Sequence, residues 1–104
     1  MIEQTEEMNA LLDAYENLLT DKQKEIMSLY FKEDFSLSEI SETLHISRAA
    51  VSDHVKRSEK ILLDYEKKLH LVKNYETRRQ IYDKIKTVGN DNVLSLIEEL
   101  ERIE

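Results

Sequence analysis

The residues with the clearest chemistry lie between positions 47 and 60, which run Ser-Arg-Ala-Ala-Val-Ser-Asp-His-Val-Lys-Arg-Ser-Glu-Lys. If Val51, Val55, Ser58 and Leu62 turn toward a core, helical periodicity puts Arg48, Ala49, Ser52, Asp53, Lys56 and Arg57 on the opposite face. That set matches the chemistry of a DNA major groove. Arg48 can bond a guanine edge or a phosphate, Ser52 can bond a base or a phosphate, and Ala49 leaves room for a thymine methyl. Lys56, Arg57 and Lys60 lie further along, where backbone phosphates are the expected partners. Ser47 and the free amides after it form a helix N-terminus suited to a phosphate. Asp53 either accepts from a cytosine amino group or repels the backbone, and the sequence leaves both open. Three basic positions on an arbitrary helix would be a solvated face, so the case for nucleic acid rests on the elements around them.

Ser36 and Glu39 form an S-x-x-E capping box, and Ser47 is a second N-cap three residues after Leu44. Leu37, Ile40, Leu44 and Ile46 put apolar groups on one side of the short helix and turn between them. A short helix, a turn of about three residues and a longer helix make a helix-turn-helix, whose second helix can enter a major groove. Upstream, Thr20 and Gln23 offer another capping box, with Ile26, Met27, Leu29, Tyr30 and Phe31 as the apolar face that follows. Met8, Leu11, Leu12, Tyr15, Leu18 and Leu19 give an amphipathic first helix, and Phe35 is expected under the loop into Ser36.

Beyond Ser47, the residues Val51, Val55, Ser58, Leu62, Tyr65, Leu69 and Val72 follow alternating steps of four and three, a 3.5-residue seam. The seam either packs on the first helix or uses its distal half for a homodimer. Tyr75, Ile81, Tyr82, Ile85 and Val88 predict a further helix, continuous with the long one or broken near Lys73 and Asn74. Gly89, the single glycine, is expected in the left-handed position that ends a helix. Asp91 is then expected to cap a last helix, with Val93, Leu94, Leu96, Ile97, Leu100 and Ile103 inward and Glu98, Glu99, Glu101 and Glu104 solvated. With no proline and 36% charged residues in 104 positions, the fold class expected is all-α. The expected organisation is a single helical domain over 1–104, with a helix-turn-helix core at 20–62 and a C-terminal helical extension at 63–104.

Other functional classes find little support. His45, His54 and His70 lack metal-ligand spacing, and Glu66 with His70 reads as an ordinary i, i+4 surface contact. Neither a glycine-rich phosphate loop nor a nucleophile–base pair is present, so no enzyme, cofactor or metal is expected. There is no cysteine, and no apolar run approaches the roughly 20 residues that span a bilayer. No membrane insertion is therefore expected, and the expected location is cytoplasmic. The net charge of −7 argues against simple nucleic-acid binding until it is localised. Residues 1–19 hold five acids and no base, and residues 91–104 hold five acids and one base, whereas residues 20–62 have seven bases to eight acids. The acidity therefore sits at the ends.

Leu19-Thr20 through roughly Leu69, with Ser-x-x-Glu-Ile-Ser-Glu and Ile-Ser-x-x-x-Val, resembles region 4 of bacterial sigma factors. Together with Leu18-Leu19-Thr20-Asp21-Lys22-Gln23, Ser36-Leu37-Ser38-Glu39-Ile40 and Asp64-Tyr65-Glu66-Lys67-Lys68-Leu69, the chain resembles the YlxM family. That resemblance implies a small helix-turn-helix protein connected with the signal recognition particle pathway. It departs from the sigma pattern at His45, where a glycine usually stands, and at Asp53, an acid on the reading face. The expected function is that of a DNA-binding regulatory protein whose partner is duplex DNA. The alternative is a protein- or RNA-interaction module of the signal recognition particle pathway.

Overall fold

The computed structural model describes residues 2–104, and the side chains of residues 5–104. These residues form α1 (Ile2–Tyr15), a 3₁₀ turn (Glu16–Leu18), α2 (Asp21–Phe31), α3 (Leu37–Leu44), α4 (Arg48–Leu69), α5 (Leu71–Val88) and α6 (Asp91–Arg102). Among the described residues there is no strand, so the chain adopts the all-α class its composition predicts. It divides into two compact units, Met1–Val72 and Lys73–Glu104.

The starts of α2, α3 and α4 follow directly from local sequence. The Thr20 hydroxyl accepts from the Gln23 amide while the Gln23 side chain accepts from the Thr20 amide, which completes one capping box. Ser36 and Glu39 complete the second in the same way. The Ser47 hydroxyl accepts from the Ala50 amide at the head of α4. Each cap satisfies amides that have no partner inside the helix and contributes about 1 kcal/mol.

The first unit closes around Leu11, Leu12, Tyr15, Ile26, Met27, Ile40, Val51 and Leu62, each almost fully removed from water. Phe35 packs against this core beneath the loop, as its position before Ser36 predicts. Leu18 does not: the 3₁₀ turn after Tyr15 shifts the helical register, and Leu18 is left exposed while Leu19 is buried. Asp34 takes a left-handed conformation (φ 58°) that composition gives no hint of.

The seam of α4 packs within the chain. Val51, Val55, Ser58 and Leu62 are buried, Tyr65 stacks on Tyr15 of α1 with ring centroids 5.9 Å apart, and Val72 packs on the same core. Only Leu69 escapes, because α4 ends there: His70 adopts φ 55° and ψ 31°, a left-handed C-cap. The break thus falls just ahead of Lys73. Glu66 is no idle surface acid. Its Oε1 accepts from the Tyr15 hydroxyl (2.6 Å) and from the Val72 amide (3.0 Å), and the Tyr15 oxygen accepts from the Leu71 amide (3.0 Å). Tyr15 and Glu66 thus satisfy backbone donors exposed by the His70 corner.

In the second unit α5 and α6 run antiparallel, since Arg79 and Lys86 both pair with Glu101, while Arg78 and the Tyr82 hydroxyl meet Glu104. Glu101 and Glu104 are therefore bridging residues, not solvated ones. Gly89 is not left-handed. Its role is space: a Cβ there would stand 2.7 Å from Val93 Cγ1 and 3.0 Å from the Ile85 carbonyl. Asn90, one residue ahead of Asp91, caps α6 by accepting from the Val93 amide. Of the apolar residues expected inward on α6, Ile97 is buried and Val93 and Leu94 half-buried, whereas Leu96, Leu100 and Ile103 are exposed.

Candidate nucleic-acid interface

The turn between α3 and α4 is held by its own residues. His45 takes the left-handed C-cap (φ 56°, ψ 43°), a conformation that costs a non-glycine residue roughly 1–2 kcal/mol. Its amide and that of Ile46 both donate to the Ser41 carbonyl, and the Ser41 hydroxyl donates to the Ile46 carbonyl. Ile46 packs toward the core and Ser47 restarts the chain as an N-cap. With Ile40 and Val51 fully buried on either side of the turn, the orientation of α4 against α3 is fixed by packing.

That packing decides which side chains of α4 face water. Ser47, Arg48, Ala49, Asp53, Lys56, Arg57 and Lys60 are exposed, and Ser52 is half-buried at the edge of the same face. No acid stands in the first turn of α4, so the partial positive charge of its N-terminus is uncompensated there. Arg48 stands at the Ser47 end of α4, and Lys56, Arg57 and Lys60 follow along its exposed side.

Asp53 has a partner on its own face: its Oδ2 lies 3.1 Å from Arg57 Nε, one helical turn away. Both side chains are more than half exposed (56% and 72%), so the pair adds little stability. Its effect is on shape and charge, because it neutralises the one acid of the face and leaves the far edge of the guanidinium open. The i, i+4 spacing is the sequence signal for this pair.

Three other acids of this unit share one groove. Glu7, Asp34 and Glu59 line a groove of about 560 Å³ with Met8, Phe31 and Phe35. Burial among these apolar neighbours pushes the Glu59 carboxyl above its ordinary range, with Lys56 pulling the other way. Acidity at the end of α1 is partly matched as well, since Asp13 and Glu16 both hold Lys32. Among the described residues no group of three or more His, Cys, Asp or Glu side chains could hold a metal ion, and no helix is long and apolar enough to cross a membrane.

A short capped helix, a three-residue turn and a long helix with a basic exposed face define this chain as a helix-turn-helix protein. Residues 2–102 match the family described as "Putative helix-turn-helix protein, YlxM / p13 like", and the chain belongs to that family. It is 44% identical to the UPF0122 protein YlxM of Bacillus subtilis, across 99% of this chain and 98% of that protein. A UPF0122 protein of Bacillus licheniformis is 47% identical over the same shares. One from Streptococcus pneumoniae is 54% identical over 81% of this chain and 76% of its own length.

Proposed function

We propose that this protein is a cytoplasmic, non-catalytic regulator that binds duplex DNA with the exposed face of α4. The observation that carries this reading is the division of one helix into two faces. Val51, Val55, Ser58 and Leu62 are locked into the core, which leaves Arg48, Ala49, Ser52, Lys56, Arg57 and Lys60 toward solvent. In this mechanism Lys56, Arg57 and Lys60 hold phosphates on the flank of the groove and the Ser47 end of α4 docks a phosphate on its free amides. Arg48 reads a base edge, with Ser52 and Ala49 beside it. Asp53 aims Arg57 at the backbone. A homodimer would present two such helices about one turn of DNA apart, roughly 34 Å.

Binding of the full chain to DNA at about 150 mM salt, with a loss of at least ~10-fold on Arg48→Ala, supports this reading, in line with the 1–3 kcal/mol that a good base contact supplies. Lys56→Ala should weaken binding to all sequences alike and lower the salt slope by about 1. Absence of binding, or binding indifferent to both substitutions, overturns it. A second reading is that the same face contacts a protein or RNA component of the signal recognition particle pathway, and the net charge of −7 favours the protein, since RNA repels acids as DNA does. Capture of such a component with no DNA binding would select it.

A further inference from the structure

We propose that one side of the α5–α6 hairpin is the surface on which a second copy of this chain docks. Tyr82 on α5 and Ile97 on α6 are the residues buried within this unit. One position before each begins an apolar stripe at i, i+4, i+7 spacing: Ile81, Ile85 and Val88 on α5, and Leu96, Leu100 and Ile103 on α6. A step of one residue turns the helix by about 100°, and because the helices are antiparallel the same step carries both stripes to the same side of the hairpin. The ion pairs of Glu101 with Arg79 and Lys86 lie on the other side, as that rotation requires.

The face is far from covered. Ile81 is 48% exposed, Val88 85%, Leu96 59%, Leu100 42% and Ile103 81%, with Ile85 half-buried among them. A helix whose apolar arc is wider than one neighbour can cover is built for two neighbours. The six side chains leave several hundred Å² of apolar surface in water, comparable with the largest patch of a typical monomer, about 300–600 Å².

The occupant follows from charge and shape. Arg78 and Glu104, at the open end, are paired with each other, and Lys84 and Glu99, exposed at the outer edges of the two stripes, are of opposite sign, so the face has no net charge to draw a nucleic acid, an acidic peptide or a headgroup. An uncharged patch made of two parallel stripes is complementary to itself under a two-fold axis, the commonest symmetry of soluble oligomers. Two such hairpins face to face make a four-helix layer. This surface is distinct from the α4 seam, whose residues pack within the first unit, and it does not depend on what α4 binds.

The test uses the full chain in solution. Light scattering and sedimentation at about 100 μM should give twice the 12.3 kDa of one chain. Leu96→Lys with Ile103→Lys should return the mass to 12.3 kDa with helical content retained, while Leu18→Lys, on the first unit, leaves the dimer intact. The chain has no cysteine, so Leu96→Cys gives a second measurement: on mild oxidation it should crosslink at least ~10-fold faster than Leu18→Cys. A wild-type monomer at that concentration, a dimer that survives the double substitution, or equal crosslinking rates would each overturn the proposal.

Discussion

Asp53 and Arg57 sit 3.1 Å apart on the exposed face of α4, which gives an acid in a basic setting a definite role. If Asp53 only positions Arg57, then Asp53→Asn removes a negative charge near the phosphates and tightens binding to every sequence by a few fold. A fluorescence titration against two unrelated duplexes checks this, and a loss of preference confined to one C·G pair would show instead that Asp53 reads cytosine. Tyr15 is the other residue whose single oxygen decides much. Donating to Glu66 and accepting from the Leu71 amide, it ties α1 to the corner where α4 gives way to α5. Burial and the bond to Glu66 push its phenol above the ordinary range, consistent with a hydroxyl held protonated. Tyr15→Phe should cost about 1–3 kcal/mol in urea unfolding, since it removes the acceptor of the part-buried Leu71 amide and one of the donors to Glu66; a loss near zero would mean the corner finds other partners.

The elements divide by how their ends are made. Capping boxes at Thr20 and Ser36 and the N-cap at Ser47 are local chemistry, written within four residues, and they place α2, α3 and α4 where the sequence predicts. His45 is recognisable as left-handed because it stands where related turns use glycine. His70 carries no such mark, so the sequence offers a break near Lys73 only as one of two alternatives and does not place it at His70. The α5–α6 turn misleads in the opposite direction. A lone glycine points to φ above zero, yet Gly89 is there because Val93 and the Ile85 carbonyl crowd the position, and that is a fact of packing across the turn. Gly89→Ala should therefore destabilise the hairpin by about 1–3 kcal/mol, and Val93→Ala in the same chain should restore part of it. Thermal unfolding followed by circular dichroism reads both; additive losses would contradict the crowding account. The exposed face of α4 is legible because the buried side of the helix is. The Glu66 and Glu101 networks are not, because each joins residues that only the fold brings together.

At the scale of the whole molecule, part of the acidity is engaged by cations of its own unit. In the first unit Asp13 and Glu16 hold Lys32, and in the second Glu101 and Glu104 are engaged by the cations of α5. Several carboxylates also set how stability varies with pH. Glu101 is held below the usual carboxylate range by Lys86 and then Arg79, and Glu39 by the Ser36 amide and hydroxyl. A depressed folded-state value means that the stabilisation is complete above the ordinary glutamate value, about 4.3, and is lost as pH falls through the lowered one. Glu59 runs the other way, since burial raises it: its proton is favoured in the fold, so what it contributes is present at low pH and lost as pH rises through the raised value. Urea titrations between about pH 3 and pH 7 should show Glu101→Gln flattening the acid limb and Glu59→Gln raising stability at the neutral end alone. A Glu59→Gln gain that persists in acid would contradict the burial account.

The most direct test of DNA binding through α4 is to purify the full chain from cells with its bound nucleic acid and sequence what it carries, beside Arg48→Ala prepared identically. Duplex DNA enriched in a shared sequence, and depleted in the Arg48→Ala sample, is the predicted result. Recovery of RNA alone, or of the same nucleic acid from both samples, would contradict it.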